Sequence, residues 1–288
     1  MTNLAYIVLN SEELDDWVEF ARTVGADASK TDGEIQVRVD DCAHRILIRK
    51  AEHSDIACLG FEFDDAKAYA GAIKSMTSSG FEVTEGSPEL CKARAVKALS
   101  SVQDPEGLTV ELVHGLRKSS VPPTPNLKFG FAADETGFGH ALLKVKDLDA
   151  YCEFYAKLGA TLSDHIVLDG EGPKAKIAFL HFNPRHHTLA LMQGEMGSAR
   201  KLQHFMLEMK DICDVGRTFD RLSASRFGVA TTLGQHTNDR SISFYCRTPA
   251  QIWMEIGCHG VHIEDESAWQ PATYDATSEW GHKLVPQT

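Results

Sequence analysis

The chain has 288 residues, of which 43% are hydrophobic and 24% are charged, a balance typical of a globular protein long enough for two domains. No stretch approaches the roughly 18 uninterrupted apolar residues of a membrane span. A net charge of −12 disfavours binding to nucleic acid or to anionic lipid. We therefore expect neither a membrane nor a nucleic acid as a partner.

The seven cysteines are spread along the chain, and no two of them form a Cys-x-x-Cys pair. The odd number and the spacing favour free thiols over a disulfide framework or a thiolate zinc site. The residues after Met1 lack the basic and then apolar pattern of a secretory signal. These features predict a cytoplasmic protein.

The chain opens with a predicted strand and helix, residues 4–25, whose pattern returns at residues 139–159. In both copies, alternating apolar residues lead to a Leu-Asp step, an aromatic stripe at helical spacing and a glycine stop. A second unit of strand and helix also occurs twice, over residues 57–76 and 204–222. Repeats of this kind indicate a duplicated architecture.

Each half closes with a turn and a strand, over residues 104–112 and 248–256. The pattern predicts an α+β fold of two domains, each made of two βαβββ modules that form a cupped mixed sheet. Residues 119–126 are rich in serine and proline, which interrupt helices and strands, and we interpret them as the linker. We therefore divide the chain into residues 1–125 and 126–288. The residues from Gln270 onward form a C-terminal extension.

Aligning the two halves exposes a chemical difference at three equivalent strand positions. The alignment pairs His140 with Tyr6, His204 with Cys58, and Glu255 with Glu111. Two imidazoles and one carboxylate can occupy one face of an octahedral metal and leave open positions, which suits Fe(II) oxygenases. We expect the second half to be the catalytic, metal-binding domain and the first half to be a scaffold without metal.

Several motifs also resemble those of a known family. The residues Gly234-Gln-His236, Phe244-Tyr245, Thr248-Pro249 and Glu255 resemble the signature of the extradiol ring-cleavage dioxygenases of the vicinal oxygen chelate superfamily. Three further segments resemble the two-domain, biphenyl-type branch of that family: Gly137-Phe-Gly-His140, Pro184-Arg-His-His187-Thr and Leu202-Gln-His204-Phe-Met-Leu-Glu208. The resemblance covers nearly the whole chain.

The resemblance implies an Fe(II) enzyme that cleaves the ring of a catechol with O₂ and incorporates both oxygen atoms. The two-domain branch favours a 3-substituted catechol, such as 2,3-dihydroxybiphenyl or a fused bicyclic diol, in the degradation of aromatic compounds. It also suggests a homo-oligomer, for which an octamer is one option.

The resemblance assigns roles to three further residues. His187 matches the acid/base histidine of the family, and Tyr245 matches the tyrosine that contacts the deprotonated catechol oxygen. His236 matches the histidine that orients the other polar groups. We expect His186, beside His187, to be a bystander.

The substrate pocket is predicted from strand geometry and from position along the chain. Leu142 lies two residues beyond His140 and therefore projects to the same face of the strand. Further candidates are polar residues on the loop after His236 and apolar residues on nearby strands: Asn238, Asp239, Phe179, Phe205 and Ile242.

The chain departs from the family pattern at two places. Gln251 stands two residues after the signature proline, where the family usually has glycine and where the first half keeps Gly107. The spacing between His187 and His204 also implies a longer hairpin over residues 194–201.

Two other classes of function share the predicted scaffold. One is a redox-neutral, metal-dependent isomerase or lyase of the same superfamily, which commonly uses a fourth protein ligand. The other is a non-catalytic binding module, which lacks the metal triad. The His187, His236 and Tyr245 set favours the oxygenase over both.

Overall fold

The computed structural model describes residues 1–123, 126–133, 136–195 and 199–286. In the first half the elements are, in order, β1 (Thr2–Ser11), α1 (Trp17–Val24), β2 (Asp27–Thr31), β3 (Glu34–Arg38), β4 (Ile46–Lys50), β5 (Asp55–Phe63), α2 (Ala66–Ser78), β6 (Thr84–Glu85), α3 (Pro88–Ala93), β7 (Ala98–Gln103) and β8 (Thr109–His114). None of the described helices is long and apolar enough to cross a membrane.

The second half repeats the order. It contains β9 (Ala141–Lys144), α4 (Leu148–Ala156), β10 (Thr161–Leu168), β11 (Ala175–His181), β12 (Leu189–Gly194), β13 (Leu202–Glu208), α5 (Ile212–Ser223), β14 (Gly234–His236), β15 (Ile242–Arg247) and β16 (Trp253–Cys258). Two short strands follow in the extension, β17 (Ala272–Tyr274) and β18 (Ser278–Trp280).

Each half forms one mixed sheet, as the repeats predict. The first sheet has the order β2-β3-β4-β1-β5-β8-β7-β6, and the second has the order β17-β10-β11-β12-β9-β13-β16-β15-β14-β18. The predicted α+β fold with two curled mixed sheets is confirmed. Helix α3 is an insertion in the second module that the repeat pattern does not show. The proposed boundary after residue 125 and part of the 194–201 hairpin lie outside the described residues, so the division into two domains stays a prediction.

Aspartates start three of the helices. Asp65, Asp147 and Asp211 each accept a hydrogen bond from a backbone N–H in the first turn of α2, α4 and α5. These bonds satisfy donors that have no partner within the helix. Helix α1 ends at Gly25, whose φ of 105° is left-handed and suits glycine.

The helical faces of both sheets contribute to one shared hydrophobic core. Aromatic rings join the two halves: Phe61 lies 5.9 Å from Tyr155, and Phe81 lies 5.1 Å from Phe154, between ring centroids. The inner faces of the two cups carry separate apolar clusters.

The C-terminal extension spans the mouth of the second cup. Strand β17 pairs with β10 at one edge of the sheet, and β18 pairs with β14 at the opposite edge. Thr231 and Leu284 form a further bridge. We call residues 272–284 the C-terminal strap, because this segment joins both edges of the sheet and closes the cup.

Candidate metal centre and active site

Three neighbouring strands carry the predicted metal ligands to the inner face of the second cup. His204 lies on β13, Glu255 lies on β16 opposite Met206, and His140 immediately precedes β9. A Cβ atom at Gly139 would overlap the carbonyl oxygen of Met206, so glycine is needed for this close approach to β13.

The three ligand atoms form a small, buried triangle. His140 Nε2 lies 3.1 Å from His204 Nε2 and 3.2 Å from Glu255 Oε2. The third edge, from His204 Nε2 to Glu255 Oε2, is 3.4 Å. An ion with bonds of about 2.1 Å has neighbouring ligands about 3 Å apart, so the triangle fits one face of its coordination shell.

The protonation of the ligands also fits a divalent metal. His204 Nδ1 donates to Gln203 Oε1, which leaves the lone pair on Nε2, the atom in the triangle. Burial alone would raise the pKa of Glu255, but the neighbouring imidazoles of His236, His140 and His204 lower it well below its ordinary value. Burial lowers the pKa of His204. A carboxylate and a neutral imidazole are the forms that bind metal.

His236 and Tyr245 lie beside the carboxylate of the triangle. His236 Nδ1 donates to the carbonyl oxygen of Thr277 at 2.8 Å, and its Nε2 lies 3.1 Å from both Tyr245 Oη and Glu255 Oε1. Burial alone would lower the pKa of His236, but Glu255 raises it to about 9. Burial, followed by Glu255, raises the pKa of Tyr245 well above its ordinary value.

His187 packs against the metal site from the opposite side. Its ring centroid lies 4.1 Å from that of His140 and 4.9 Å from that of Phe179. Its Nδ1 lies 3.2 Å from His186 Nδ1 and 3.8 Å from Asp239 Oδ2. Burial lowers the pKa of His187 well below its ordinary value. The ring is therefore neutral, with a lone pair on one nitrogen.

A cavity of about 240 Å³ opens onto the triangle. Four of the six predicted pocket residues line it: Leu142, Phe179, Asn238 and Asp239. The metal ligands, His187, His236 and Tyr245 line the same cavity, so the predicted site residues meet around one space.

Comparison with known proteins agrees with this arrangement. Residues 137–256 match the model of the Glyoxalase/Bleomycin resistance protein/Dioxygenase superfamily. The chain is 35% identical to the biphenyl-2,3-diol 1,2-dioxygenase of Paraburkholderia xenovorans, over 98% of this chain and 95% of the relative. The chain belongs to the extradiol dioxygenases of this superfamily.

Two further matches each cover nearly the whole of this chain. It is 31% identical to an iron-dependent extradiol dioxygenase of Rhodococcus jostii, over 97% of this chain and 96% of the relative. It also superposes on the crystal structure of a halotolerant catechol dioxygenase with a TM-score of 0.89 and 32% identity, over 98% of this chain and 94% of that chain. The predicted family and fold are confirmed.

Two apolar candidates lie on the wrong face of their strands. Phe205 follows His204 in β13 and packs in the shared core, because successive side chains point to opposite faces. Ile242 lies on the same face of β15 as Phe244, whose ring packs against Phe219 of α5. Neither residue lines the cavity of the dioxygenase, so both pocket predictions are wrong.

The sequence analysis also missed residues that line the cavity. Ile166, Ile177 and Met192 come from β10, β11 and β12, and alternation along those strands was the available signal. His282 comes from the strap, and its ring centroid lies 4.4 Å from that of His236. No local pattern of the extension indicates that it folds back onto the site.

In the first half of the dioxygenase, an ion pair occupies the position equivalent to the metal site. Tyr6 Oη donates to Glu111 Oε2 at 2.5 Å, and Arg94 Nε donates to the same oxygen at 2.9 Å. Arg94 belongs to the insertion around α3. The sheet registers place Cys58 and Glu111 where the second half has His204 and Glu255, as the alignment predicts.

Proposed function

We propose that this protein cleaves the aromatic ring of a 3-substituted catechol beside its hydroxyl groups and incorporates both atoms of O₂. The observation that carries the proposal is the facial triad of two histidines and one glutamate at the base of an apolar cavity. Fe(II) at His140, His204 and Glu255 would supply open coordination sites for the reactants and a metal that can pass single electrons.

The polar residues around the triad divide into two sides. His187 is neutral and buried on one side, where it can accept a substrate proton and later return it. Tyr245 and His236 lie on the other side, where they can hydrogen-bond to a catechol oxygen. Asn238 and Asp239 line the cavity between them and would complete the polar contacts.

The apolar end of the cavity fits the ring and its substituent. A cavity of roughly 150 Å³ lined by apolar side chains holds one benzene molecule. The cavity of about 240 Å³ therefore has room for a catechol ring and an additional group. Leu142, Phe179 and Ile177 supply apolar surface for the faces of the ring. The relative named as a biphenyl-2,3-diol dioxygenase acts on a catechol that carries a phenyl group.

The redox-neutral alternative is not favoured by the ligand set. Among the described residues, three side chains place ligand atoms within 4.8 Å of one another, namely His140, His204 and Glu255. The isomerases and lyases of the superfamily commonly need a fourth protein ligand to the metal. The ring-cleavage set of His187, His236 and Tyr245 also surrounds the triad.

Oxygen consumption tests the proposal directly. Protein purified without air and loaded with Fe(II) should consume O₂ with 2,3-dihydroxybiphenyl and release a yellow ring-opened product. We expect His187→Ala to keep iron but to slow turnover about 10²-fold or more. The exposed His53→Ala variant is the matched control and should keep full activity. No oxygen uptake with any catechol in a panel of one-ring and two-ring diols would refute the proposal.

We also propose that the protein acts in the cytoplasm as a homo-oligomer. All seven cysteines are free thiols, which suits a reducing compartment. Light scattering after size-exclusion chromatography tests the assembly, and a monomer at micromolar concentration would contradict it.

A further inference from the structure

A buried chain of hydrogen bonds leads from the strap to His187. Asp164 Oδ1 accepts from the backbone N–H of Ala272 at 2.7 Å, and Asp164 Oδ2 lies 2.7 Å from His186 Nε2. His186 Nδ1 in turn lies 3.2 Å from His187 Nδ1. Asp164 and His186 are each 1% exposed, so no bulk water competes for these bonds.

The order of donors and acceptors follows from the chemistry of the groups. A carboxylate only accepts hydrogen bonds, so His186 Nε2 must carry the proton that faces Asp164. A neutral His186 then has its lone pair on Nδ1 and accepts from His187 Nδ1–H. His187 is left with its lone pair on Nε2. The competing acceptor, Asp239 Oδ2, is 3.8 Å from His187 Nδ1, which is beyond hydrogen-bond distance.

We infer that the Asp164–His186 pair is a positioning element that sets the tautomer and orientation of His187. This inference rests on the proposed function, in which His187 moves protons at the substrate. A tautomer with the lone pair on Nε2 presents a base, whereas the opposite tautomer presents a donor. His186 is then a positioning residue rather than the bystander that we expected.

Further contacts hold His186 in one orientation. Its backbone N–H donates to the carbonyl oxygen of Val261 at 3.0 Å, and its ring packs against Trp269, with ring centroids 5.7 Å apart. Ser163 donates to the carbonyl oxygen of His186. The backbone of His186 is thus held in place, and its ring cannot turn over without breaking the buried hydrogen bond to Asp164.

Asp164→Asn should reverse the tautomers. The N–H of Ala272 still requires an acceptor, so the amide oxygen of the new side chain faces it and the NH₂ group faces His186. His186 Nε2 must then accept, its Nδ1 becomes a donor, and the proton of His187 moves to Nε2. We expect kcat to fall by between about 10²-fold and 10⁴-fold, the range for a missing or wrongly protonated base, with KM for the catechol nearly unchanged.

Nuclear magnetic resonance of protein with ¹⁵N-labelled histidine identifies the tautomer directly, and this measurement does not depend on enzyme activity. In metal-free protein we expect the Nδ1–H form of His187 in the wild type and the Nε2–H form in Asp164→Asn. The matched control is Asp214→Asn, the same change at another buried aspartate that accepts backbone N–H bonds, from Lys128 and Phe129, and it should alter neither the His187 tautomer nor kcat.

Two results would overturn the inference: an unchanged His187 tautomer in Asp164→Asn, or a change in kcat of less than about threefold. If that variant does not fold, His186→Phe serves instead, because it keeps an aromatic ring but removes the hydrogen bonds to Asp164 and His187. We expect the same fall in kcat and the loss of the Nδ1–H form of His187. A wild type that cleaves no catechol while the tautomers still reverse would refute the proposed function and leave the positioning role intact.

Discussion

The ion pair in the first half offers a direct test of the scaffold interpretation. Arg94 and Glu111 are 9% and 4% exposed at their side chains, and Tyr6 supplies the other hydrogen bond to the carboxylate. Replacing Arg94 with methionine leaves a charged Glu111 buried with a single neutral donor. Breaking a buried pair in this way costs about 3–5 kcal/mol of unfolding free energy.

The double variant Arg94→Met, Glu111→Gln separates the charge from the packing. It removes both charges, so we expect most of the lost stability to return, to within about 2 kcal/mol of the wild type. Urea unfolding followed by circular dichroism gives the free energies. The control is Arg226→Met, which breaks an exposed pair with Glu19 and should have a much smaller effect.

Two outcomes would refute this reasoning. One is a loss below about 1 kcal/mol for Arg94→Met, and the other is a double variant as unstable as the single one. Because the pair lies in the half without the cavity, kcat measured well below the unfolding temperature should equal that of the wild type. A large fall in kcat with intact folding would show that the first half takes part in catalysis.

His204→Ala removes one corner of the metal triangle and should abolish iron binding, as measured by metal analysis of purified protein; stoichiometric iron in that variant would contradict the ligand assignment. Burial, followed by nearby arginines, lowers the pKa of His44 to about 3, so only the unfolded chain binds its proton between about pH 6.5 and pH 3. His44 alone should therefore lower the unfolding free energy by about 1.4 kcal/mol per pH unit as the pH drops through this window, and urea unfolding of His44→Phe should lack that contribution. Gln251 has a φ of 58°, and its counterpart Gly107 has a φ of 87°. Gln251→Gly should therefore raise stability by about 1 kcal/mol and Gly107→Gln should lower it by a similar amount, and equal melting temperatures would contradict the strain argument.

The turn at Gln251 shows how the fold tolerates the departure from the family pattern. Its N–H donates to the carbonyl oxygen of Thr248 at 2.8 Å, as the N–H of Gly107 does to Asp104 at 3.0 Å. The side chain of Gln251 is exposed, so the substitution strains only the backbone. Glu255 therefore keeps its place in the triangle.

The metal site could be predicted from the sequence because it depends on repetition and short-range order. His140, His204 and Glu255 lie at equivalent positions of duplicated strands, and the same sheet register recurs in both halves. Alternation along a strand also placed Leu142 correctly beside His140. Strand periodicity and duplication are both properties of the chain itself.

The surroundings of the site were decided by tertiary structure. The strap brings Thr277 to His236 and Ala272 to Asp164, across 41 and 108 residues of sequence respectively. No local pattern encodes such pairings, since they depend on how the sheet curls and which edge strands remain to be covered. The role of His186 likewise depends on a carboxylate 22 residues away on β10. The sequence of a strand shows which of its side chains share one face of the sheet. Which residues meet across the cup is decided only when the sheet curls and closes.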